Sequence, residues 1–352
     1  MKILIDITHP AHVHLFRNLA FELKRRGHEV FWTARDKDVT RSLLKYYKVR
    51  FRIISKARSS LIGLARELLE HDYGMYKIVK RYNFDLLLGG CSASVTHIGK
   101  LVKTRSIVFN DDDAKCVRIF ASLSYPFADT IVIPDCLRDD DFGQKLVKHK
   151  SYHALAYLHP TRFSPNPNVI ESLGCSSSER YFLLRFVSLK AAHDIGHTGI
   201  NRFIRKKLTG ELSKLGRVFI STEGQIEEEF KQYLVTIPPQ DIHDVLYYAT
   251  MFIGDSQTMT AEAAVLGTPA IRCNTFVGKI SYLEELEHTY GLTFGFLPSE
   301  GDKMLNRIKE LLSMEGLSKE WQRRREKMLA DKIDLTSWKV EFVENYPKRI
   351  FN

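Results

Sequence analysis

Gly254-Asp-Ser-Gln-Thr-Met-Thr-Ala-Glu-Ala-Ala-Val-Leu-Gly-Thr-Pro-Ala-Ile-Arg272 is the stretch on which the fold turns. The short apolar run Met251–Gly254 reads as a strand. Small polar residues follow it, then a helix carrying Glu262, and Gly267-Thr-Pro leads into a further strand at Pro269–Arg272. Such a strand–helix–strand succession is the unit of a parallel sheet covered on both faces. Ser256, Thr258 and Thr260 stand at the helix start, where unsatisfied backbone N–H groups and the positive end of the dipole attract a phosphate. Glu262, one turn further in, is placed to accept hydrogen bonds from ribose hydroxyls. An ordinary N-capped helix would look the same at this level.

The same alternation recurs on either side. In the first half, strands are expected at Lys2–Ile7, Glu29–Thr33, Val49–Ile54, Asp85–Leu88, Ser106–Phe109 and Thr130–Ile133, with a first helix over Ala11–Arg26 stopped by Gly27. A Pro-rich stretch, Arg162-Phe-Ser-Pro-Asn-Pro-Asn168, reads as an interdomain linker. Beyond it strands are expected at Arg180–Phe186, Arg217–Ser221, Tyr233–Ile237, Met251–Gly254 and Pro269–Arg272. The expectation is an α/β chain of two facing Rossmann-like domains, residues 1–162 and 163–335, with a cleft between them. A helix over 336–352 is free to pack back on the first. Ligands of such sheets lie outside the carboxyl ends of the strands, so residues just after strands are the functional candidates.

Composition is consistent with this. The 352 residues are 44% hydrophobic and 27% charged, enough for two cores. Five dispersed cysteines without a CxxC pair exclude a disulfide framework and a structural zinc site. MKILIDITHP reads as a strand and not as a signal peptide, and no run of about 18 apolar residues is present, which points to the cytoplasm. The net charge of +10 favours anionic partners. Its excess concentrates in Lys45–Tyr82, with ten Lys or Arg against three Asp or Glu. There Leu61, Ile62, Leu64, Leu68 and Leu69 accompany Arg66, Lys77, Lys80 and Arg81, a pattern that suits either peripheral contact with an acidic membrane or a packed helix with a solvated basic face.

Three further constellations follow strands. Ile5-Asp-Ile-Thr-His-Pro-Ala-His-Val-His-Leu-Phe16 puts three histidines around one turn. His12, in the first helical turn, is the candidate base; His9 reads as a cap and His14 as packing. The spacing of His12 and His14 turns them to different sides of a helix, against a shared metal. Phe109-Asn-Asp-Asp-Asp-Ala-Lys115 offers carboxylates at a strand end, with Asp113 the candidate acid or base and Asp111 or Asp112 a solvated cap. A DxD metal site is its rival. After Arg180–Phe186, the side chains of Arg185, Ser188, Lys190 and His193 could meet a phosphate. The loop from Ile237 to His243 precedes a helix in a position suited to a nucleobase.

These residues carry resemblances. Asp255-Ser256, Glu262-Ala263 and Gly267-Thr268-Pro269 resemble the nucleotide-sugar loop of GT-B glycosyltransferases and of the non-hydrolysing UDP-N-acetylglucosamine 2-epimerases, although Gln257-Thr258 stands where the epimerases have two glycines. Ala11-His12-Val13 and Arg26-Gly27-His28-Glu29-Val30 resemble the opening of the lipid-linked N-acetylglucosaminyltransferase of peptidoglycan synthesis. The His-Pro-Ala-His-Val-His signature together with the late loop also resembles domain-of-unknown-function family 354 over nearly the whole chain.

The resemblance implies a GT-B-like fold, no metal, and no cofactor other than a nucleoside diphosphate sugar as substrate. It implies a donor site built from Arg185, Ser188, His193, Asp255, Ser256, Thr258 and Glu262, and His12 and Asp113 as catalytic groups. The partner would be a saccharide or lipid-linked acceptor. Epimerisation is the alternative, weakened because Gly89-Gly-Cys-Ser-Ala-Ser94 stands where the epimerases carry a carboxylate. A non-enzymatic polyanion binder is a third class, against which no nucleic-acid-binding motif appears.

Overall fold

The structure, a computed structural model, describes residues 1–138, 142–176, 178–187, 199–222 and 224–347. It divides into two compact units, one of Met1–Arg162 with the chain from Lys332 onward, the other of Phe163–Asp331.

The first unit opens with β1 (Lys2–Ile7), α1 (Pro10–Arg25), β2 (Glu29–Asp36), α2 (Thr40–Tyr46), β3 (Phe51–Lys56) and α3 (Leu61–Tyr82). It continues with β4 (Leu86–Gly90), α4 (Ala93–Val102), β5 (Arg105–Phe109), α5 (Arg118–Ser124), β6 (Thr130–Pro134), β7 (Leu146–His149) and α6 (Leu155–Leu158). The second unit holds α7 (Asn168–Ser172), β8 (Tyr181–Phe186), α8 (Arg202–Leu212), β9 (Arg217–Thr222), α9 (Ile242–Tyr248), β10 (Met251–Gly254) and α10 (Gln257–Leu266). After these come β11 (Ala270–Cys273), α11 (Ser281–His288), β12 (Thr293–Phe296), α12 (Gly301–Leu312) and α13 (Leu317–Asp331). The last helix, α14 (Leu335–Asn345), returns to the first unit and packs on α1.

All pairings within both sheets are parallel, in the orders β3-β2-β1-β4-β5-β6-β7 and β12-β11-β10-β8-β9. From Ile3 on, β1 is buried at every position, as a strand covered by helices on both faces must be. Each order reverses direction once, between β1 and β4 in the first sheet and between β8 and β10 in the second. At such a reversal the flanking loops diverge and leave a crevice at the strand carboxyl ends. Asp6 pairs with Gly89 at the first reversal, and Gly254 with Arg185 at the second.

Local chemistry sets the helix ends. His9 caps α1 with Pro10 in its first turn, and Gly27, at φ 85°, stands just past its end. Ser256 caps α10, and Gly267 terminates it in the left-handed region. One expected strand fails. Tyr233–Ile237 contributes a single bridge, Leu234 to Ile220, after a 3-10 turn over Glu228–Tyr233. Pro238 and Pro239 follow at once, and neither has an N–H to extend a ladder. Conversely β7 and β12, four-residue strands at sheet edges, are additions to the expected set. The carboxy-terminal helix is shorter than expected and ends at Asn345.

Candidate functional site

In the first unit the reversal between β1 and β4 places Thr8 and His12 beside Gly90. The Thr8 hydroxyl donates to the Gly90 carbonyl at 3.0 Å, and its oxygen lies 3.1 Å from Nδ1 of His12. A hydroxyl has one proton to give. With that proton on Gly90, the oxygen can only accept from His12, so Nδ1 carries the hydrogen and Nε2 the lone pair. Gly90 is required by the ring itself: a Cβ there would come within 2.8 Å of the imidazole. Burial, and after it the charge of His153, lowers the His12 pKa to about 4, with Asp111 pulling the other way. The ring is neutral at physiological pH and presents a basic nitrogen. His9 is spent on the helix, its Nδ1 accepting from the Ala11 amide, and His14 is buried beside Tyr47 and Tyr157.

The turn after β5 is held by buried Asn110. Its amide nitrogen donates to the Asp112 carbonyl and to Tyr125 Oη, while its oxygen accepts from the Cys91 thiol. The turn separates the three aspartates. Asp113 is buried, whereas Asp111 and Asp112 are partly exposed. Asp111 is no mere solvated cap, since its Oδ1 lies 3.2 Å from Nδ1 of His153. Burial alone would raise its pKa, but the charge and hydrogen bond of His153 outweigh that and leave it lowered. Asp112 goes the other way, pushed up to about 8 by burial and by the carboxylates of Asp111 and Asp113. One turn therefore displays a carboxylate and a carboxylic acid at neutral pH, close enough to His12 for Asp111 to perturb it.

Beneath this lies a buried network absent from the sequence reading. The Asp6 carboxylate accepts from Thr33 Oγ1 at 2.7 Å, from Ser92 Oγ at 2.7 Å and from His71 Nε2 at 3.0 Å. Nδ1 of His71 is 2.6 Å from Ser55 Oγ. Ser92 also caps α4, so Asp6 secures the turn that follows Gly90. The members of this network come from β1, β2, β3, α3 and the β4–α4 turn, distances in sequence that no local pattern reveals.

In the second unit the equivalent reversal is closed by Asp255. Its Oδ1 accepts from the Val187 amide at 2.7 Å across the gap between β10 and β8, and its carbonyl accepts from Asn274. Its Oδ2 is buried without a partner among the described residues, and a Cβ at Gly199 would lie 2.3 Å from it. Burial raises the Asp255 pKa to about 6. Asp255 thus holds the backbone at Val187, just past the end of β8, and lies against Gly199. Ser256 Oγ accepts from the Met259 amide, and Thr260 Oγ1 donates back to the Ser256 carbonyl. Thr258 is exposed on the first turn, beside the first amides of the helix, which have no intrahelical acceptor. Glu262 is buried, with His243 Nε2 at 3.1 Å from its Oε1. His243 arrives on α9, so the loop from Ile237 and the helix of Glu262 meet there.

Asp255, Ser256, Thr258 and Glu262 are therefore gathered on and around the start of α10. Arg185 stands at the end of β8 with its guanidinium on Ser221 Oγ at 2.7 Å. Ser188, Lys190 and His193 lie outside the described residues, as does the acidic triplet at 139–141. Arg272, on β11, is fully buried and paired with Glu284 and Glu287, a structural role. Among the described residues no group of three or more His, Cys, Asp or Glu could hold a metal ion.

Two parallel sheets with alternating helices in these orders define the GT-B architecture. The chain superposes on glycosyltransferase SsfS6 of Streptomyces sp. SF2575, solved with thymidine diphosphate, with a TM-score of 0.62 at 14% identity, over 97% of this chain and 100% of that one. It superposes on UDP-GlcNAc 2-epimerase from Neisseria meningitidis, bound to UDP-GlcNAc, with a TM-score of 0.64 at 11% identity, over 99% and 100% of the two chains. At these identities the likeness is one of fold.

The chain belongs to the family described as Protein of unknown function (DUF354), whose model matches residues 1–285. The uncharacterized protein MJ0665 of Methanocaldococcus jannaschii is 22% identical over 297 residues, 81% of this chain and 86% of that protein.

Proposed function

We propose that the protein is a glycosyltransferase that takes a nucleoside diphosphate sugar as donor, with no cofactor beyond it, and a saccharide or lipid-linked saccharide as acceptor. The observation that carries this reading is the start of α10, where Ser256, Thr258 and the free first-turn amides stand at the sheet reversal with Glu262 one turn behind. Amides at a helix start match a diphosphate, and the dipole favours the charge that grows on it as it leaves. Glu262, oriented by His243, accepts from ribose hydroxyls. His12 Nε2 takes the proton of the acceptor hydroxyl as its oxygen bonds to the anomeric carbon. The bond from that carbon to the diphosphate breaks, and the electron pair leaves on the phosphate oxygen.

A thermal-shift screen of nucleoside diphosphates and their sugars tests this. A ligand at a hundredfold excess over its Kd adds about 2.7 kcal/mol to the folded state. The expected hit is lost in Glu262→Ala and kept in Lys80→Ala. Absence of any nucleoside diphosphate among the hits would sink the reading. One observation favours epimerisation: Asp111, Asp112 and His12 supply more than one proton-transfer group, which elimination and re-addition of a diphosphate requires. Incubation with UDP-N-acetylglucosamine and no acceptor separates the two, because only an epimerase returns the 2-epimer.

A further inference from the structure

α3 is patterned the wrong way round for a helix packed on a sheet. A surface helix buries its apolar stripe and shows water its charges. α3 instead buries Glu67 and His71 against the sheet, together with Met75, Ile78 and Val79. Its outward stripe, at positions three and four apart, runs Ile62, Arg66, Leu69, Tyr73, Lys77 and Lys80. On it Ile62 is 85% exposed, Leu69 69% and Tyr73 61%. The inversion is intelligible on the inside, because Glu67 is taken by Arg35 and the Arg58 amide, and His71 by Asp6. Nothing inside accounts for the apolar residues outside.

The stripe does not stand alone. His97 on α4 joins Asp72, beside Tyr73, at 2.9 Å, and its Nε2 donates to the Leu123 carbonyl on α5 at 2.8 Å. Phe127 lies edge-on to the same ring at 5.3 Å. Leu123 and Phe127 are themselves exposed, so α3, α4 and α5 present one continuous face. Its charge is positive. Glu70 is held by Arg58 and Arg66, whereas Lys77, Lys80 and Lys100 have no carboxylate partner among the described residues. Lys77 folds over the Tyr73 ring at 4.1 Å, with the ammonium raised above an apolar platform.

We propose that this face docks on the surface of an anionic phospholipid bilayer. Ile62, Leu69 and Tyr73 enter the headgroup boundary, and Lys77, Lys80 and Lys100 lie among the lipid phosphates. Large exposed apolar side chains interleaved with cations along a single helix are what an interfacial helix requires, whereas a polyanion in solution would not need the apolar set. No described helix is long and apolar enough to cross the membrane, so the contact is peripheral. The inference is independent of the transferase reading.

Co-sedimentation of the full chain with vesicles tests it, using phosphatidylcholine alone and phosphatidylcholine with about one third phosphatidylglycerol. Binding is expected only to the anionic vesicles and should weaken as salt rises. Lys77→Glu with Lys80→Glu should lower affinity by about tenfold or more. Ile62→Glu with Leu69→Glu should abolish binding even at low salt, while nucleotide-independent thermal midpoints stay at the wild-type value because both positions are solvent-exposed. Three results would each overturn the proposal: no binding to the anionic vesicles, full binding by the Ile62→Glu, Leu69→Glu variant, or sedimentation velocity showing a dimer that this variant dissociates.

Discussion

Thr8 donates its only hydroxyl proton to the carbonyl of Gly90 and can therefore only accept from Nδ1 of His12, which leaves the lone pair of that imidazole on Nε2. A tautomer is thereby set by a residue four positions earlier and a carbonyl from a neighbouring strand. For a base that is to act through Nε2, this is the arrangement required.

Thr8→Val removes the acceptor and lets both tautomers populate, and Gly90→Ala drives a methyl into the ring. Both are expected to lower transfer turnover by about 10²-fold with nucleotide affinity unchanged. Long-range nitrogen–proton NMR should show the Nδ1–H form of His12 in the wild type and a mixture in Thr8→Val. Unchanged turnover in Thr8→Val would remove His12 from the mechanism.

The two groups flanking Asp111 titrate in opposite senses. His12 is lowered from 6.5 to about 4, so its contribution to stability is present above 6.5 and declines as pH falls toward about 4. Asp112 is raised from 3.8 to about 8, so the folded state gains from its proton at low pH and loses that gain as pH rises through about 8. Asp112→Asn keeps the shape and removes the charge. It is expected to be more stable than wild type at pH 8–9, by about 2 kcal/mol, and no more stable at pH 4. Urea midpoints at the two pH values decide.

The Asp6–His71 pair is a buried ion pair with a defined pH window. Burial opposes both charges, yet each partner outweighs it: Asp6 ends lowered and His71 raised. The His71 contribution is complete below about 6.5 and is lost as pH climbs through its raised value; that of Asp6 is complete above about 3.8 and lost below it. His71→Gln is expected to destabilise by about 3–5 kcal/mol near pH 5.5, and the deficit should narrow above the raised His71 value. A deficit independent of pH would mean that packing, not charge, holds the ring.

Arg272 is fully buried between Glu284 and Glu287. Glu284→Ala should cost about 3–5 kcal/mol, because it leaves the buried guanidinium only its longer contact with Glu287 at 3.4 Å. Adding Arg272→Met to that variant should recover most of the loss, a coupling that chemical denaturation of the double-mutant cycle measures directly.

The fold was legible because its signals are local. Strands such as Ile131–Ile133 are continuously apolar, helices start at Ser256 or His9, and Gly27 and Gly267 stop them, each within a few residues of its cause. Tyr233–Ile237 has the composition of a strand, but the two prolines that follow it deny it a ladder. β7 and β12 escaped because four residues at a sheet edge carry too few positions to show a period.

The site was legible in part. The sequence placed His12 and the Asp255–Glu262 segment after strands, and the sheets put both at reversals of strand order. Among the three aspartates the sequence pointed to Asp113, and it could not show that Asp111 meets His153, which arrives from beyond β7.

By itself, then, the sequence determined what periodicity and caps determine: two parallel α/β units and the residues that follow their strands. Only tertiary structure decided how those residues are charged. The tautomer of His12 and the hold of Asp255 on Val187 each depend on a partner from another strand, and the proton on Asp112 depends on burial beside Asp111 and Asp113. Hydrogen bonds and desolvation act over a few ångströms in space, whatever the separation along the chain.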